Sequence, residues 1–156
     1  MGNYTTVSAS RRGFTAIEMI IVMVLIGLLS AVALPYLRTG PSKSSVHGAN
    51  SAIASYHALA RNAAIARGRM AVLVIKAAAP ATVLVVVKRP GSSVVDTVGT
   101  VANLYSAFSV TLTTTSDSVI FTPRGIGIST STTTVIATRS GVSDTLTISG
   151  AGRLIR

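Results

Sequence analysis

No cysteine occurs in this chain of 156 residues, and tryptophan is absent too. The first absence removes disulfide staples, thiolate nucleophiles and thiolate metal sites together. Acids are nearly as scarce: Glu18, Asp96, Asp117 and Asp144 stand against 14 Lys and Arg. Paired carboxylates for acid–base chemistry are hard to assemble from so few. The two histidines, His47 and His57, share one helical stretch but lie about 15 Å apart along its axis. They do not close on one metal ion, and both read as solvated histidines on the polar face. Ser and Thr are abundant, yet no G-x-S-x-G nucleophile elbow is present, and Gly125-Ile126-Gly127 lacks the rest of a dinucleotide fingerprint. The expectation is a non-enzymatic protein without catalytic residues, cofactor, metal ion or small-molecule substrate. Aromatic residues make up only 4%, too few for a base-stacking platform.

What the chain does have is positive charge and one long apolar run. Net charge is +10, falling to +8 without Arg11 and Arg12, a balance that favours polyanions or anionic membrane surfaces. The run follows Arg11-Arg12-Gly13-Phe14-Thr15-Ala16-Ile17-Glu18 and is uncharged over residues 19–37. Residues 14–34 would span roughly 31 Å as a helix at ~1.5 Å per residue, against a bilayer core of about 30 Å. The arginine pair on the amino side predicts a single pass with the N-terminus inside and everything after residue 37 outside. Residues 1–13 hold no apolar segment of their own, so they are not a conventional secretory signal. Glu18 is the residue an ordinary anchor would not carry, since an acid inside a span costs on the order of 2.5–3.5 kcal/mol. Two readings stay open on the residues alone. In one, Glu18 is an interfacial acid tolerated near the helix's positive N-terminal end. In the other, cleavage after Gly13 creates an α-amine on Phe14, and Glu18 partners that amine in its own or a neighbouring chain.

Gly13-Phe14-Thr15-Ala16-Ile17-Glu18 with the following apolar run resembles the class III signal of type IV prepilins and type II secretion pseudopilins. The resemblance implies cleavage of the Gly13–Phe14 bond by a prepilin peptidase, N-methylation of Phe14, and pairing of Glu18 with the amine of an adjacent subunit. It implies a bacterial inner-membrane location before assembly into a pilus or pseudopilus, with membrane lipid, the peptidase and other pilin subunits as partners. Gly27, Ser30 and Pro35 resemble the family's helix-weakening positions, although small residues are also ordinary membrane-helix composition.

Beyond the span, 38–43 holds Gly40 and Pro41 and reads as a hinge. Residues 44–67 return to helical periodicity, with Val46, Ala49, Ile53, Tyr56, Ala60 and Ala63 on one arc and Asn50, His57, Arg61, His47 and Ser51 on the other. Gly68 is a natural stop. Strands are expected at 70–76 and 82–88 as a buried hairpin, then at 93–98, 108–113, 118–122, 133–139, 145–149 and 152–156. The predicted organisation is α+β: a cleaved leader at 1–13, a transmembrane and assembly helix at 14–37, a hinge and amphipathic continuation helix at 38–67, and an antiparallel β-rich domain at 68–156. With no cysteine, that domain must be held by burial alone.

The globular part is similar to the GspH/FimT group of minor pilins and pseudopilins. The similarity rests on residues 59–68 leading into an apolar strand, on Phe121-Thr122-Pro123-Arg124-Gly125 as an F-x-P-x-G turn, and on a terminal Gly152-Arg153 strand. Some FimT-type minor pilins bind DNA through a C-terminal G-R-x-R motif. This chain ends Gly152-Arg153-Leu154-Ile155-Arg156, and the extra residue sends the two arginines to opposite faces of a strand. From Arg38 onward, 12 Lys and Arg stand against 3 Asp. Lys88, Arg89, Arg124, Arg139, Arg153 and Arg156 are therefore candidate phosphate contacts for DNA. The alternative is a basic, solubilising surface. The principal expectation is a structural pilin or pseudopilin subunit; a DNA-capturing minor pilin and a plain membrane-tethered domain are the other two.

Overall fold

The valine-rich and threonine-rich runs form strands, and the alanine-rich stretch before them forms a helix, in a computed structural model that describes residues 14–89, 91 and 94–155. The leader at 1–13, with Gly13, and the terminal Arg156 lie outside the described residues. The chain divides into two compact units, one ending at Arg38 and the other running from Thr39 to Arg156.

The first unit is the apolar part of α1 (Ala16–Arg67). Residues 16–34 meet the length and composition of a membrane span, with mean hydropathy 2.7 and none of that stretch buried within the protein. Helical backbone continues through Gly27, Pro35 and the 38–43 segment, so the chain does not leave the helix there, while the two units divide at Arg38, the first residue of the expected hinge. Pro41 removes one backbone donor and Gly40 costs about 1 kcal/mol, but both fall inside a helix with several turns of hydrogen bonds on each side.

In the second unit, α1 ends as anticipated at Gly68. Gly68 has φ +58°, its N–H bonds to Ile65 O at 3.2 Å, and the N–H of Arg69 bonds to Ala64 O at 3.2 Å. These two bonds make a Schellman cap, which satisfies orphan carbonyls and turns the chain into the first strand. The strands are β1 (Ala71–Lys76), β2 (Thr82–Lys88), β3 (Val95–Asn103), β4 (Thr111–Thr114), β5 (Ser118–Phe121), β6 (Thr133–Arg139), β7 (Val142–Ile148) and β8 (Leu154–Ile155). They form two antiparallel sheets, ordered β3-β2-β1-β5 and β4-β6-β7-β8. One core joins Val46, Ile53 and Ala60 of α1 to Leu73, Val85 and Phe121 of the first sheet and Leu146 and Ile148 of the second. Fully burying the valine, leucine, isoleucine and phenylalanine side chains among these stabilises by ~1.5–3 kcal/mol each, so that burial holds the domain without disulfides.

Three departures from the sequence reading have physical causes. The strand expected at 93–98 extends to Asn103 because Gly99, at φ +76°, lies beside a register shift opposite Val83 and Val85. The glycine there absorbs a bulge rather than ending the strand. Residues 104–108 form a short helix, α2 (Leu104–Phe108), where a strand was expected to begin. Asn103 caps it by accepting the Ser106 N–H at 2.9 Å, a signal the β-like composition concealed. The strand expected at 145–149 starts earlier, because Ser140 (φ 48°) and Gly141 (φ 80°) form a two-residue turn joining β6 to β7.

Candidate functional site: the assembly helix and the basic surface

At its amino end, α1 is closed by a side chain. Thr15 Oγ1 accepts the N–H of Glu18 at 3.3 Å, placing Thr15 at the N-cap and Glu18 three residues inside it. That is the spacing of a capping box, with an acid in the turn where the helix dipole favours one. Thr15 was not singled out in the sequence, although Thr-x-x-Glu before an apolar run carries the signal. Phe14 is 80% exposed, and the apolar side chains of the following stretch are exposed to its end at Leu34. A contiguous apolar surface of that extent is stable only against lipid or other apolar helices.

The globular signatures converge on one knot. His57, expected on a solvated face, is 7% exposed. Its Nε2–H donates to the Gly152 carbonyl at 3.0 Å, and its ring meets Phe121 edge-on with centroids 5.2 Å apart. Burial depresses its pKa; the Gly152 bond acts in the opposite direction, and Arg61 adds to the depression. Asn50, placed on the same polar arc, is also buried and donates to Asp144 Oδ2 at 2.9 Å. Both lie within about 40° of Val46 and Ala64 around the helix, so they border the apolar arc. The strand and turn that supply Asp144 and Gly152 cover that flank. His47 is exposed. Gly127 crosses beneath the terminal turn, donating to Ala151 O at 2.9 Å. A Cβ on Gly127 would lie 2.5 Å from Gly152 N and 2.7 Å from Gly150 O. Gly125, at φ +74°, leaves room for Ile65. The F-x-P-x-G turn and the Gly152-Arg153 ending are thus two sides of one packing contact around Phe121.

The candidate phosphate contacts do not form one surface with free cations. Arg139 is half-buried, and its guanidinium donates to Ser45 Oγ and to the Phe108 carbonyl, tying β6 to α1 and α2. Arg89 forms a two-pronged pair with Asp96, with Nη2 2.7 Å from Oδ1. Arg124 and Arg153 are exposed, on the turn after β5 and just before β8. Lys88 and Arg89 do come together, with Arg69, Met70 and Pro123, around a cleft of about 380 Å³ at the carboxyl end of α1. Among the described residues no group of three or more His, Asp or Glu is placed to hold a metal ion.

The comparisons with known proteins agree with this architecture. The family model described as type II transport protein GspH matches residues 49–152, well over half of the chain. Among solved structures, the type IV minor pilin FimU of Pseudomonas aeruginosa (strain PAO1) is similar in two crystal forms. One has a TM-score of 0.59 at 18% identity, covering 72% of this chain and 88% of that one. The other has a TM-score of 0.52 at 17% identity, covering 72% and 90%. No match is found among curated protein sequences. A long apolar N-terminal helix followed by antiparallel sheets is the pilin fold, and structural pilins of this kind are not enzymes. With the match running from the middle of α1 to the turn before β8, the chain belongs to the GspH family of type II transport proteins.

Proposed function

We propose that this protein is a structural minor pilin or pseudopilin subunit, released from its leader at Gly13–Phe14 and assembled through α1. The observation that carries the reading is the exposed apolar surface of residues 14–34 together with one acid, Glu18, in the first turn. In the membrane that surface is covered by lipid, with the arginine pair inside and the globular unit outside. In a filament the same surface is covered by neighbouring helices, so the apolar area stays out of water in both states. Cleavage leaves a free, N-methylated amine on Phe14, and Glu18 neutralises the amine of an adjacent subunit. An uncompensated carboxylate among packed helices is costly, so register is set by the position at which this pair forms. DNA capture is less well supported, because Arg139 and Arg89 are engaged within the fold.

Maturation is tested by replacing Gly13 with Ala in cells that hold a working prepilin peptidase. The variant should keep its leader, seen as a heavier band and an intact initiator end by mass spectrometry. A variant processed like the wild type would rule out this cleavage site.

A further inference from the structure

The cleft at the carboxyl end of α1 has a charge arrangement that the fold itself leaves unbalanced. The β1–β2 pairing continues past Ala71↔Val87, with Lys88 N–H bonded to Met70 O at 3.1 Å, and Arg69 and Arg89 both line the cleft just beyond it. Arg67 ends α1 two residues earlier. The acid that these cations act on is Asp96, opposite Val87 in the β2–β3 ladder. Its carboxyl is held below the usual carboxylate range by the Arg89 hydrogen bond, with further attraction from Arg89, Arg67 and Arg69. Arg89 takes both oxygens of Asp96. Arg67, Arg69 and Lys88 are exposed and form no ion pair among the described residues.

We propose that this basic cleft docks a carboxylate-rich face of a different, acidic subunit in the same filament. The inference rests on the filament reading above and names the kind of neighbour it requires. A second copy of this chain does not fit, because the part from Arg38 onward carries 12 Lys and Arg against 3 Asp and would meet its own sign. Arg89, which lines the cleft, holds the Asp96 carboxylate at its rim in a bidentate fork, and the neighbouring Arg69 offers a second guanidinium of the kind that planar carboxylates accept. Met70 and Pro123 give it a partly apolar lining with no aromatic ring, which suits a protein surface better than stacked bases.

The test uses the full-length chain in uncharged detergent with fluorescent decaglutamate as probe, and a DNA duplex of matched charge alongside. Binding is followed by anisotropy at about 0.05 M salt, where surface charges are weakly screened. Two doubly neutralised variants are compared: Arg69→Ala/Lys88→Ala in the cleft, and Lys43→Ala/Lys76→Ala elsewhere on the exposed surface. Arg89 is left in place so that Asp96 keeps its partner. The expected result is a roughly tenfold loss of decaglutamate affinity in the cleft variant and less than twofold in the other, with unchanged melting of both. In cells, the cleft variant should be processed normally but depleted from filaments. Equal losses in the two variants, no binding at low salt, or a cleft-dependent preference for the duplex would each overturn the proposal. Absence of the wild-type chain from filaments would instead count against the filament reading, and leaves the decaglutamate result to stand by itself.

Discussion

Replacing Gly127 with Ala should destabilise the globular unit far more than a single methyl group suggests. The added Cβ would sit 2.5 Å from Gly152 N, 2.7 Å from Gly150 O and 2.8 Å from Ala151 C. All three are backbone atoms of the terminal turn, so no side chain can rotate out of the way. Relief requires the turn to move by about 0.5–1 Å, since ordinary contacts of this kind begin near ~3.4 Å. That movement stretches the bonds from Gly127 N to Ala151 O and from Ser129 N to Gly150 O, and the His57 bond to Gly152 O. Overpacking costs about 1–3 kcal/mol and a lost hydrogen bond about 1 kcal/mol, giving roughly 3–4 kcal/mol if one or two of the three bonds break. For a domain of this size that corresponds to a fall in melting temperature of about 10 °C or more. The same substitution at Gly40, an exposed helical position with nothing within 4 Å, should be neutral or stabilising by up to about 1 kcal/mol. Thermal unfolding of both variants, followed by tyrosine fluorescence, provides the comparison. A Gly127→Ala protein melting within about 2 °C of the wild type would refute the packing argument.

Other consequences follow from the same contacts. His57 binds protons less readily folded than unfolded, so its contribution is fully present above its ordinary pKa and is lost as pH falls through that value toward the depressed one. Denaturant midpoints should therefore drop between neutral and mildly acidic pH, and His57→Gln should flatten that slope; an unchanged slope would remove His57 from the account. Arg139→Ala should cost about 1–3 kcal/mol by leaving the Phe108 carbonyl and Ser45 without their donor, while decaglutamate binding stays within twofold of the wild type. Chemical denaturation and anisotropy measure the two parts separately. Glu18→Ala should leave cleavage largely intact and reduce incorporation into filaments, read as the ratio of filament to membrane protein on a blot. Normal incorporation of that variant would count against the pairing role.

Much of the architecture could be read from residue pattern because the driving forces there are local. The apolar span, the helix stop at Gly68 and the strands at 82–88 and 133–139 follow from composition and periodicity alone. What could not be read was decided by contacts distant in the chain. His57 and Asn50 look like polar-face residues until Gly152 and Asp144, more than ninety positions away, arrive to cover them. Gly127 reads as a fragment of an incomplete fingerprint and Gly152 as part of a terminal strand, yet both serve a backbone crossing that only tertiary structure reveals. Arg139 counts as surface charge in a composition and as a tie between β6, α1 and α2 in the fold. Gly40 and Pro41 show the limit of propensity in placing a helix stop, since α1 carries two unfavourable residues without ending, although the two units do divide beside them. At the amino end, by contrast, the Thr15 cap was within reach, because the capping-box spacing is written in four consecutive residues.

The central claim is that α1 exchanges a lipid covering for a covering of neighbouring helices once its leader has been removed. Filaments sheared from cells and separated from membranes allow the intact mass of this chain to be measured directly. The account predicts a polypeptide beginning at Phe14 and heavier by one methyl group, present in the sheared fraction. A chain found in membranes alone, or carrying residues 1–13 in the sheared fraction, would contradict it.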